Sequence, residues 1–316
     1  MKKSYSMILF GTILLFLFPY IFTLFVSGST LEERREIRKS GKTILRESAY
    51  GREEIDLEEY AVGVAASQIP GNYEKEAVKV QLILARTYLY KMVGEANQIS
   101  EAELHCTYLD LAGREKEWGA DSAAYEEKFE AAASETAGQV ILYEGSLVDA
   151  MFHRASAGMS RDGGGAFPYL KSVDGGRDVD IENYVTIREY SESELVSGIG
   201  SIRGQSLGAG EALGLQIVSR DGAGYVTQVM AGAEAYTGEE LAAALSLPSA
   251  AFSVSQTESG LKFVVKGSGH GYGVSQWGAN KLAQEGKDAA AILNYYFQNI
   301  TVETLGESET PEKFPA

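Results

Sequence analysis

Cysteine is nearly absent from this chain. Cys106 is the only one in 316 residues, so no intramolecular disulfide framework can hold the fold. Histidine is also scarce, with His105, His153 and His270 the full set. His105 and Cys106 are adjacent and cannot both enter one tetrahedral site without a bend, and the other two histidines are remote in sequence. No metal and no cofactor are therefore expected. Cysteine-protease chemistry needs a Cys–His pair, and Cys106 sits on a polar segment with no nucleophile signature. Cations are in deficit: 28 Lys and Arg stand against 44 Asp and Glu, a net charge of −16. Nothing resembles a basic binding face, which argues against a nucleic-acid partner. Internal repeats are lacking too.

What is present is apolar mass: 45% of the residues are hydrophobic, enough for a full core in a chain of 316. Lys2 and Lys3 precede an uncharged apolar run over 7–26, about long enough to cross a bilayer. We read 1–29 as an uncleaved single-pass anchor, with the large domain outside the cell membrane. The run ends in Ser27-Gly28-Ser29, which leaves cleavage as a signal peptide open. Residues 30–54 are highly charged and read as a solvated stalk, 55–302 as the globular domain, and 303–316 as a disordered acidic tail.

The globular part opens on DLEEYAVGVAASQIPGNYEKEAVKVQLILARTYLYKM, residues 56–92. Asp56 can cap a short helix with Glu59 three residues on, and Pro70-Gly71-Asn72 ends it. The next helix is apolar on most of its circumference, which predicts burial in an interior. Lys79 and Arg86, seven residues apart, nevertheless share one of its faces. Buried cations need partners. Either they form internal salt bridges, or they line a cleft and face a substrate. Farther on, 122–135 reads as a solvated helix, and 139–142 and 147–152 alternate like strands around Glu144-Gly145. Residues 153–174 are rich in Gly and Ser and read as an ordered functional loop. Residues 191–210 read as a variable insertion, and 213–266 turn mostly to strands, with a hairpin turn at Asp221-Gly222. Helices over 275–285 and 288–296 and a strand near Ile300 close the domain, so the fold class is α+β.

The run GSGHGYGVSQWGA, residues 267–279, is the most informative short stretch after the opening helices. Glycines on both sides of His270 allow tight turns and close approach of a ligand, and histidine exchanges protons near neutral pH. Ser275, Gln276 and Trp277 add a hydroxyl, an amide and a flat apolar face, the mixture found in sugar-binding clefts.

Five runs appear in order over 57–301: LEEYAVGVAASQIP, YEKEAVKVQLILARTYLY, FHRASAGMS with PYLKSVD, ENYVT, and GHGYGVSQWGANKLAQEGKDAAAILNYYF. Together they resemble the sporulation stage II protein D (SpoIID) family, which includes the amidase-enhancer proteins. The resemblance implies a membrane-anchored protein acting outside the membrane on peptidoglycan during engulfment in spore formation. It also implies a lytic transglycosylase, in which one carboxylic acid protonates the leaving oxygen and then takes the muramic 6-hydroxyl proton. The family's catalytic Glu lies in a run like A-S-E-M-P, and Gln68 stands at that position here. An amide has no proton to transfer. Lys79, Arg86, Ser156 and His270 are expected to line one cleft with Gln68, and these four and Gln276 match family positions. With Ser275 they form the expected substrate-binding set. Two functions follow: a lytic transglycosylase with a replaced acid, or a non-catalytic glycan-binding scaffold or enhancer of a separate cell-wall amidase. The expected partners are peptidoglycan glycan strands, such an amidase with other engulfment proteins, and the membrane through the N-terminal helix.

Overall fold

A computed structural model describes residues 37–48, 51–204 and 208–305. The expected anchor over 7–26 and most of the expected tail lie outside them. Among the described residues no helix is long and apolar enough to cross a membrane.

The chain opens with strands β1 (Thr43–Ser48) and β2 (Gly51–Asp56), which pair antiparallel, and β1 also pairs parallel with β3 (Gln98–Ser100). This corrects the expected stalk and the domain boundary at residue 55. Ile44 is fully buried, and the Lys42 ammonium donates to the carbonyls of Gly94 and Ala96 at 2.8 and 2.7 Å. High charge suggested a solvated segment; the fully buried Ile44, one well-satisfied lysine and the pairing of β1 with β3 dock it.

Helix α1 (Leu57–Gln68) starts where the Asp56 carboxylate accepts the Glu58 N–H, and α2 (Lys75–Val93) follows after the Pro70 turn. As its composition predicts, α2 is buried nearly all round. Val80, Ile83 and Leu84 pack into one apolar cluster, and Ala85, Leu89, Tyr90 and Val93 into another. Helices α3 (Leu111–Trp118) and α4 (Ser122–Glu135) lead to β4 (Gln139–Tyr143) and β5 (Ser146–Leu147). β6 is only Phe152–His153, the start of the glycine-rich loop.

Then come β7 (Val185–Ser191), α5 (Glu192–Arg203), α6 (Ala209–Leu213), β8 (Gln216–Arg220), β9 (Val226–Ala231), β10 (Glu234–Tyr236) and α7 (Gly238–Ala244). β11 (Phe252–Gln256) and β12 (Gly260–Lys266) complete a β11-β12-β7 sheet, which shares a third core with a β10-β9-β8 sheet. The expected variable insertion is thus largely the capped helix α5, with Leu195 and Ile199 in that core. The β8–β9 hairpin turns over 221–225, where the Asp221 N–H donates to the Tyr225 carbonyl, and not tightly at Asp221-Gly222. β13 (Val274–Ser275) pairs parallel with β6 and puts Ser275 opposite His153. Helices α8 (Gln276–Gln284) and α9 (Ala289–Tyr296) follow, and β14 (Ile300–Thr304) returns to pair antiparallel with β4. β14 carries the ordered domain two residues past the expected end at 302. The fold is α+β, with helices and several small sheets.

Candidate functional site

The site is built where the C-terminal end of α1 meets the N-terminal end of α8. Asn280 on α8 accepts the Glu74 N–H at 2.8 Å, which fixes α8 against the entry of α2. One turn earlier, the Gln276 Nε2 donates to the Gln68 carbonyl at 3.0 Å and to the Gln81 Oε1 at 3.2 Å. The Gln81 Nε2 in turn donates to the Gln68 Oε1 at 2.5 Å. Gln81 and Gln276 are buried, and Gln68 is half-buried. Three amides therefore form one connected network, and among the described residues no carboxylate is bonded to any of them.

Behind α8 a second polar centre holds the framework. The Asp178 carboxylate is fully buried on the short 3₁₀ turn Gly176–Asp180. It accepts the Ser156 N–H at 2.6 Å and the Ser275 hydroxyl at 2.9 Å. Ser275 also accepts the Gly278 N–H and so caps α8. Burial pushes the Asp178 carboxyl above the usual range, and the bonds from Ser156 and Ser275 oppose that rise.

The glycine run brings His270 back over the loop strand β6. Gly269, at φ +100°, leaves room for His153: a Cβ there would lie 2.8 Å from the His153 Cβ. Gly273, at φ +70°, would place a Cβ 2.0 Å from the Met151 carbonyl oxygen. These glycines admit the chain's own neighbouring segment; the sequence reading reserved that space for a ligand. His153 is buried, and its Nδ1 lies 3.0 Å from the Tyr272 carbonyl, which makes Nδ1 the protonated nitrogen. Its Nε2 is buried with no partner, and burial lowers the ring's pKa to about 4. The exposed His270 accepts the Tyr272 N–H on Nδ1 at 3.1 Å, so its neutral ring carries hydrogen on Nε2. The rings stand 6.0 Å apart. Among the described residues no group of three or more His, Cys, Asp or Glu could hold a metal ion.

The expected cleft cations are placed elsewhere. The Arg86 Nε donates to both Glu58 oxygens at 2.8 and 2.9 Å, with both residues buried. The Glu58 Oε1 also accepts the Gly138 N–H, and the Arg86 Nη1 donates to the Gln139 carbonyl. This ion pair ties α1, α2 and the start of β4 together. Lys79 bonds Glu76 at 2.7 Å and Glu135 at 2.8 Å. The salt-bridge alternative is the one realised for both cations. Arg86, Ser156 and Ser275 therefore have almost no surface to offer a ligand, and their part is to hold the frame. Of the expected set, Gln68, backed by Gln276, and the exposed His270 keep surface and make no ion pair.

Four residues here escaped the sequence reading. Gln81 carried a signal, as the one neutral polar side chain within the apolar run VKVQLIL. Asp178 carried none, because DGGRDVDIE reads as a solvated loop. His153 was weighed only as a metal ligand. Arg161 joins Asp221 and Glu239 between the rings of Tyr225 and Tyr272, contacts made over 60 residues or more.

Residues 46–143 match the family model described as SpoIID, stage II sporulation protein, from β1 through β4. Stage II sporulation protein D of Bacillus amyloliquefaciens is 29% identical over 272 residues, covering 82% of this chain and 77% of that protein. Stage II sporulation protein D of Bacillus subtilis is 28% identical over 262 residues, 79% of this chain and 75% of its own length. An uncharacterised protein of Brachyspira hyodysenteriae is 26% identical over 260 residues, 79% of this chain and 67% of its own length. The matched segment carries Gln68, Gln81 and the Glu58–Arg86 pair, so the chain holds a stage II sporulation protein (SpoIID) family domain over residues 46–143, and the curated relatives extend the likeness over most of its length.

Proposed function

We propose that this chain is a sporulation cell-wall protein that binds peptidoglycan glycan strands at the face around Gln68 and His270 without cutting them. The SpoIID family domain supports the sporulation cell-wall role. The observation that carries the binding reading is the amide network at residue 68. Cleavage to an anhydro sugar needs a group that gives and then takes a proton, and loss of a general acid costs about 10²–10⁴ in rate. Gln68 bonds Gln81 and Gln276 only, and three of the nearby carboxylates are engaged, Glu58 by Arg86, Glu76 by Lys79 and Asp178 by Ser156 and Ser275, while the exposed Glu74 is bonded to none of the three amides. In this reading the chain is held at the outer face of the membrane by residues 7–26 and positions glycan for a separate enzyme, such as a cell-wall amidase. The intact surroundings of residue 68 favour a second reading, a slow lytic transglycosylase. Incubating the purified full chain with insoluble peptidoglycan separates the two. Retention on the pellet without soluble anhydro-ended fragments supports binding; release of such fragments supports cleavage.

A further inference from the structure

The oxygen and nitrogen of a side-chain amide have nearly the same shape, so only the hydrogen-bond network decides which way each one faces. Here that network has a fixed starting point. The Gln68 backbone carbonyl can only accept, so the Gln276 atom 3.0 Å from it is the NH₂ nitrogen. That same nitrogen lies 3.2 Å from the Gln81 side chain, which must therefore present its oxygen. The Gln81 NH₂ is then the group 2.5 Å from Gln68, and the Gln68 atom it meets must be the oxygen. Rotating any single amide sets donor against donor or acceptor against acceptor among buried groups. Rotating all three sets the Gln276 oxygen against the Gln68 carbonyl. One backbone carbonyl thus fixes three amides in series. What remains is the NH₂ of Gln68, on a half-exposed side chain, with no protein acceptor among the described residues.

We infer that Gln68 is locked as an outward donor by the positioning residues Gln81 and Gln276, and that the group it binds is a carbonyl oxygen, the N-acetyl carbonyl of the glycan. This rests on the glycan-binding reading. A sugar hydroxyl both donates and accepts and is satisfied by either end of an amide. An acetamido carbonyl only accepts and is a stronger acceptor than the glycosidic and ring ether oxygens, so it is the group that best distinguishes a locked donor from a rotated amide. Gln68 then acts like a carboxylic acid held in its protonated form, able to hold the oxygen but with no proton to release.

The test compares binding of the full-length protein to peptidoglycan glycan strands and to the same strands after chemical N-deacetylation. The native protein should prefer the acetylated strands, by about tenfold for one hydrogen bond of ordinary strength. Gln81→Glu, studied at mildly alkaline pH to keep the new carboxylate ionised, accepts from both neighbours, so it turns the Gln68 oxygen outward. Its preference should fall towards the value for Gln68→Met, a variant that removes the amide without adding charge and leaves the buried network partners in place. A preference unchanged in Gln68→Met overturns the assignment even if Gln81→Glu does not fold. A second readout is independent of glycan: side-chain amide hydrogen exchange by NMR. Slow exchange at Gln81 and Gln276 with fast exchange at Gln68 supports the lock, and a protected Gln68 NH₂ overturns it. A native protein that binds neither strand but shows this exchange pattern would refute the glycan reading and retain the lock.

Discussion

Arg86 is the residue whose substitution best separates a structural from a ligand-binding role. Its guanidinium is fully buried, donates twice to Glu58 and once to the Gln139 carbonyl, and leaves Nη2 without a partner. Burial pushes the Glu58 carboxyl up, while Arg86 and the Gly138 N–H pull it back. Arg86→Met strands Glu58 in an apolar interior with the Gly138 N–H as its remaining bond. Breaking a buried pair from one side costs about 3–5 kcal/mol, and Glu58→Leu alone should cost a similar amount. Removing both charges avoids the stranded ion and leaves only the Gly138 N–H and the Gln139 carbonyl unpaired. The double variant should therefore lose about 1–3 kcal/mol, far less than the sum of the singles. Urea unfolding of the four proteins measures this cycle. The folded double variant should retain glycan to within about twofold, because Arg86 has no surface to lose. The reasoning fails if Arg86→Met costs under about 1 kcal/mol, or if the double variant keeps native stability and loses the glycan.

His153 makes stability depend on pH. Its folded pKa of about 4 lies below the usual histidine value, so the neutral ring favours folding above about pH 6.5, and that stability is lost as pH falls towards 4. At about 1.4 kcal/mol per unit the loss is at most about 3 kcal/mol. His153→Asn, which can still donate to the Tyr272 carbonyl, should flatten this part of a stability-against-pH curve; an unchanged slope contradicts the assignment. Gly273→Ala should destabilise by about 2–4 kcal/mol in chemical unfolding, since φ is +70° and the new methyl meets the Met151 oxygen. A near-neutral effect would mean the loop lies differently. A chain shortened to begin at residue 55 loses β1, Ile44 and the Lys42 bonds, so its melting temperature should drop well below that of one beginning at 38. Burial of Ile44 alone is worth about 1.5–3 kcal/mol, and equal melting temperatures would restore the stalk reading.

The helices α1, α2, α8 and α9 were legible because each carries a local signal: a cap, a sustained apolar face, or a glycine stop. β1 was not, because its burial comes from pairing with β3 more than forty residues away, and its charged neighbours mask Ile44. At the site, the identity of residue 68 and the nearness of Gln276 were readable from the runs that contain them. The fate of Arg86 was not. Spacing puts Lys79 and Arg86 on one face but cannot say that Glu58, on the preceding helix, reaches Arg86. Asp178 was invisible for the same reason: the Ser156 and Ser275 bonds that hold it span 22 and 97 residues.

The central claim is that an amide at residue 68 turns a cleaving site into a holding one. The most direct measurement is muropeptide analysis of peptidoglycan incubated with the native full chain and with Gln68→Glu. The native protein should bind and release little or no anhydro-ended product, whereas the glutamate variant should gain cleavage. That gain should be partial and greatest at mildly acidic pH, because the Gln81 NH₂ stabilises a carboxylate at position 68 and lowers its pKa. Lys79 and Arg86 add little to this, since Glu76, Glu135 and Glu58 already engage them. Anhydro-ended product released by the native protein as fast as by Gln68→Glu would contradict the account.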